Sequence, residues 1–70
     1  MIAKLISKSY KSYITYSGNI ENLKIGEDYL VYGVEIIKEK QYYLIYLDSD
    51  YTPRLYDAKN FQIIDPRKSK

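Results

Sequence analysis

Tyr29-Leu30-Val31-Tyr32-Gly33-Val34-Glu35-Ile36-Ile37, then Lys38-Glu39-Lys40, then Gln41-Tyr42-Tyr43-Leu44-Ile45-Tyr46-Leu47: this stretch decides the fold class. Both long runs are filled with β-branched and aromatic residues, and the polar triplet between them predicts a hairpin. Gly33 interrupts the first run, which predicts a bulge or sharp bend there. With a bulge, Tyr29 and Val31 face inward before it, and Val34 and Ile36 after it. Without one, Leu30, Tyr32, Val34 and Ile36 share a single face. The bulged form is the expectation. In the second run Tyr43, Ile45 and Leu47 share one face, and Tyr42, Leu44 and Tyr46 the other. A half-exposed sheet carries one apolar face, so the second one needs its own cover or a partner.

Outward from this hairpin the pattern continues as short strands. Leu23-Lys24-Ile25-Gly26-Glu27-Asp28 reads as the turn that leads in. Before it, residues 8–22 are polar and read as a long excursion, with Tyr13-Ile14-Thr15-Tyr16 as one arm of a local hairpin. Residues 2–7 alternate as a first strand. After the hairpin, Asp48-Ser49-Asp50 turns the chain, and residues 52–56 return as a strand whose Pro53 suits an edge. Asp57-Ala58-Lys59-Asn60 suits one 3₁₀ turn, and residues 61–64 form a last strand that Asp65-Pro66 ends. The expected architecture is all-β: a small five-stranded SH3-like barrel over residues 1–65, with a long loop after the first strand and a 3₁₀ turn before the last. Residues 66–70 form a basic tail. Closure would remove exposed edges from so short a chain.

The chain has 70 residues, 46% of them hydrophobic, with ten Tyr, one Phe and no Cys, His or Trp. That length supports one domain, and its few Gly and Pro argue against disorder. Without Cys there is no disulfide, thiolate nucleophile or Cys-based zinc site. Without His, the commonest general base and transition-metal ligand is missing. No glycine-rich phosphate loop is present, so no enzyme and no cofactor is expected. No secretory or membrane-spanning apolar run is present either, which makes the cytoplasm the expected compartment and a membrane no partner.

The pattern Leu23-x-x-Gly26-x-x-Tyr29-x-Val31, then Tyr42-Tyr43-Leu44-Ile45, then Leu55-Tyr56-Asp57-Ala58-x-x-Phe61-x-Ile63 resembles a group of small bacterial and phage proteins. These have an SH3-like barrel and mostly unassigned function. The resemblance spans residues 1–65 loosely and implies the fold. Some immunity proteins of toxin systems are similar barrels, which implies protein binding. Leu55-Tyr56-Asp57 also looks like part of the Ala-Leu-Tyr-Asp-Tyr signature of proline-binding SH3 domains. It stands before the last strand rather than in the early loop, and the Trp of those grooves is absent, so that mode is set aside.

Ten Tyr exceed what a small interior holds, so an exposed patch of several is expected. Tyr offers large contact area with a polar tip at low entropy cost. Tyr13, Tyr16, Tyr42 and Tyr46 are assigned to a face that docks an unidentified protein partner. The competing reading is nucleic-acid binding by the basic groups toward the two ends, Lys4, Lys8, Lys11, Arg67 and Lys68, with interleaved Tyr stacking on bases. Self-association through an exposed strand, giving a homo-oligomer, is the third. Asp48, Asp50 and Asp57 lack the Gly and distal Glu of a calcium loop and are read as turn residues, with no metal.

Overall fold

Burial of alternate side chains sets the strands in the computed structural model, which describes residues 1–47 and 50–65. The elements run β1 (Ile2–Leu5), η1 (Ile20–Asn22), β2 (Asp28–Ile37), β3 (Lys40–Leu47), β4 (Asp50–Asp57), η2 (Ala58–Asn60) and β5 (Phe61–Asp65), η1 and η2 being single 3₁₀ turns. They form one antiparallel sheet in the order β4-β3-β2-β1-β5. Among the described residues no ladder joins β4 to β5, so the sheet is not closed. No helix among the described residues is long and apolar enough to cross a membrane.

β2 belongs to both halves of the sheet. Its residues 28–30 pair with β1, and residues 31–37 pair with β3. The register slips between Val31 and Gly33, placing the bulge where the glycine implied it. Tyr29 and Val31 pack inward before it, as expected. Val34 and Ile36 behave differently. Val34 stands opposite core residue Tyr43 and so shares its face, yet both Val34 and Ile36 are exposed. The tip of the β2–β3 hairpin extends past the part of the core that would cover them.

The core joins both halves. Ala3, Leu5, Val31, Tyr43, Ile45 and Phe61 come from the strands, and Ile20 and Leu23 from η1 and its end. Phe61 is gripped edge-on by Tyr43 at 5.7 Å and Tyr29 at 6.5 Å between ring centres. Fully burying one such aromatic contributes roughly 1.5–3 kcal/mol.

The hairpin turn is strained. Lys38 and Glu39 both have positive φ, 51° and 67°, between the paired residues Ile37 and Lys40. A two-residue turn with this backbone prefers Asn-Gly, and neither residue here relieves the strain. The pair Lys38→Asn and Glu39→Gly should therefore stabilise the chain by about 1 kcal/mol, read as a rise in urea midpoint. Gly26, at φ 94°, does sit where glycine is required.

Residues 8–22 do not form the expected hairpin arm. A turn closes from Ser17 N–H to the Ile14 carbonyl, and the chain then runs beside the outer edge of β4. There the Leu55 N–H donates to the Tyr16 carbonyl at 2.8 Å, and the Gly18 N–H donates to the Leu55 carbonyl at 2.9 Å. This short parallel pairing covers the edge of β4 that barrel closure was expected to remove. The 3₁₀ turn before the last strand is present as η2, with the Asp57 carboxylate accepting from the Lys59 N–H.

Candidate functional site

Strand alternation turns Tyr42, Leu44 and Tyr46 away from the core that Tyr43 and Ile45 enter. Of these, Tyr46 is exposed, and its ring meets that of Tyr32 edge-to-face at 4.9 Å. Tyr32 is the extra residue of the β2 bulge, and the slip in register is what aims it at Tyr46. Both rings are about half exposed, at 53% and 44%. Leu30, on the same strand, adds a further exposed apolar group. The sequence reading expected Tyr32 outside the core but left it out of the docking face; its place at an expected bulge beside Gly33 was the available signal.

Tyr42 requires a correction. It is buried, at 4% exposure, and so is not open to a partner on the face it shares with Tyr46. It lies opposite Asp57, which is buried as well, and the early loop runs beside Asp57 there. The second apolar face of β3 is thus split, with one end covered by the chain itself and the other left open at Tyr46.

Tyr13 and Tyr16 are exposed on the loop, at 89% and 68%. Ser17 bridges to Leu55, Leu55 pairs with Leu44, and Leu44 pairs with Gly33. Tyr16 therefore lies two strand spacings, about 10 Å, from the strand of Tyr46, and three, about 15 Å, from that of Tyr32. Its φ is 66°, a left-handed backbone that a bulky aromatic side chain rarely adopts.

A second aromatic position is built around Asn60, which is fully buried. Its Oδ1 accepts from the Tyr10 N–H at 3.1 Å, and its Nδ2 donates to the Tyr10 carbonyl at 2.6 Å. Lys59 Nζ stands 5.4 Å from the centre of the Tyr10 ring, within reach of a cation–π contact. Tyr10, Lys11, Tyr13, Tyr56 and Asp57 border a cleft of about 280 Å³.

The three candidate lysines among the described residues each stand near an acid. Lys4 faces Asp28 across β1–β2, Lys8 pairs with Glu21 at 3.4 Å, and Lys11 shares its cleft with Asp57. Arg67 and Lys68 lie outside the described residues, as do Asp48 and the side chain of Asp50. Among the described residues no cluster of carboxylates could hold a metal ion.

Two phenols are shifted. Burial raises the pKa of Tyr43. Burial also raises that of Tyr29, whose oxygen accepts from the Lys24 N–H, which opposes the rise, and lies beside Glu27, which adds to it. Below a pH of about 10 both folded and unfolded chains keep these protons, and the associated stability is intact. Above it the unfolded chain releases them first, so stability falls as pH rises through the folded pKa values. Ultraviolet titration should show these two ionising above the ordinary Tyr range, and Tyr43→Phe should flatten part of the alkaline loss.

Searches against protein-family models, curated proteins and solved structures find no match to this chain.

Proposed function

We propose that this chain is a non-enzymatic, cytoplasmic protein-binding module on a small SH3-like barrel. It docks a partner protein through Tyr32 and Tyr46, with Tyr13 and Tyr16 reaching from the loop. Its specific form is that of an immunity or phage accessory protein that occludes its target. The SH3-like reading is supported by the strand order, the long early loop and the 3₁₀ turn before the last strand.

The observation that carries the docking reading is the Tyr32–Tyr46 pair. Two rings already fixed against each other lose little rotamer freedom on binding, which favours them as anchors. Tyr16 supports it independently. A Tyr held at positive φ costs about 1 kcal/mol or more relative to a relaxed residue, and such strain concentrates where a side chain serves a purpose.

The test replaces Tyr32 and Tyr46 together by Ser. Far-UV circular dichroism and the urea midpoint should stay close to those of the parent chain, because both rings are half exposed. Capture of the native partner should fall by about 1,000-fold, at roughly 2 kcal/mol per anchor. Retained capture would sink the assignment. Tyr16→Gly gives a separate check: it should raise stability by roughly 0.5–1 kcal/mol while weakening capture.

A further inference from the structure

The two edges of the sheet are defended unequally. β4 carries Pro53 and Arg54, and residues 16–18 bond to its outer side. β5 has no Pro, Lys or Arg from Phe61 to Asp65, and β1 is its one strand neighbour among the described residues. Edges left in this state are templates for a further strand.

Hydrogen-bond directions show which groups of β5 face outward. The Asn60 carbonyl accepts from the Ile6 and Ser7 N–H groups, so it points toward the β1 side. Leu5, which stands opposite Phe61, spends its own N–H and carbonyl on Glu27 and Gly26 instead. Bonding direction alternates along an antiparallel strand, so Gln62 bonds toward β1 and Ile63 presents its N–H and carbonyl to the open edge. Ile63 and Ile64 are also about half exposed, at 47% and 48%.

We propose that β5 pairs antiparallel with β5 of a second copy of this chain, about a two-fold axis at Ile63. Ile63 exchanges both backbone hydrogen bonds with the partner's Ile63, and the two side chains lie about 5 Å apart on one face. In this register Gln62 meets Ile64 and Phe61 meets Asp65, so no like charges oppose each other, and the two Asp65 carboxylates fall at opposite ends. That self-match favours a second copy over an unrelated strand. The register slip next to Ile64 shortens the ladder, so the contact is small, below about 1,200 Å², and reversible. It uses none of the docking tyrosines, and its failure would leave the proposed function untouched.

Sedimentation velocity of the full chain over a rising concentration series tests this. The mass should climb from 8.3 kDa toward twice that value. Ile63→Lys, which sets two ammonium groups face to face at the axis, should weaken association by about 100-fold with circular dichroism unchanged. Hydrogen exchange of the Ile63 amide in the unsubstituted chain supplies an independent reading and should slow as concentration rises. A monomer throughout the series would overturn the proposal. So would a dimer in which Ile63 exchange ignores concentration, or one abolished by the Tyr32 and Tyr46 substitutions instead. Should Ile63→Lys fail to fold, the exchange result decides.

Discussion

Gly18→Ala is expected to destabilise the fold by about 3 kcal/mol, the upper part of the range for overpacking a tight interior. A methyl group on Gly18 would fall within the ring of Tyr56, at its Cζ, Oη and Cε1 atoms. Tyr56 is 2% exposed and sits in the core, so it has little room to yield. The loop cannot retreat without cost either, because the Gly18 N–H is bonded to the Leu55 carbonyl. Urea denaturation measures the loss. Tyr56→Leu in the same background should recover part of it, a coupling expected only if the two residues share this space. An unchanged midpoint for Gly18→Ala would mean the loop does not lie on Tyr56.

Asn60→Ala should cost roughly 2–4 kcal/mol. The substitution strips partners from both backbone groups of Tyr10, and each polar group left unpaired costs about 1–3 kcal/mol. Asn60→Asp keeps the acceptor toward the Tyr10 N–H but turns a carboxylate oxygen on the Tyr10 carbonyl, so it should be no milder. The effect should be local before it is global. Exchange at the Tyr10 amide should accelerate most, while the β2–β3 amides change with overall stability alone. Equal acceleration everywhere would show that Asn60 supports the whole core and not the loop in particular.

How far the fold was legible depended on the range of the interactions that made it. The Gly33 bulge, the β2–β3 hairpin and the turn at 58–60 follow from residues adjacent in sequence, and each is present. Residues 8–22 could not be read this way. Their shape comes from Leu55 and Asn60, some 40 to 50 positions distant, and no local pattern of Ser, Tyr and Asn announces such partners. Tyr42 shows a similar limit. Alternation placed it with Tyr46, opposite the face of Tyr43 and Ile45, but alternation alone does not tell which end of that face is bare. The surplus of Tyr was legible from composition, and Tyr10, Tyr13, Tyr16, Tyr32 and Tyr46 are indeed exposed. Which of them meet was not, because the Tyr32–Tyr46 contact arises from a register slip whose exact position a lone glycine does not dictate.

The sharing of β2 between two pairings also orders events in time. Its hairpin with β3 closes over a two-residue turn and can form within microseconds. Its other half must wait for β1, and β1 must find β5 from the far end of the chain, a search whose entropy is lost before any contact rewards it. Nucleation should therefore belong to residues 31–47, with the outer strands condensing on that seed and the early loop zipping onto Leu55 last. Substitutions in the hairpin should slow folding, whereas those at Gly18 and Asn60 should chiefly hasten unfolding.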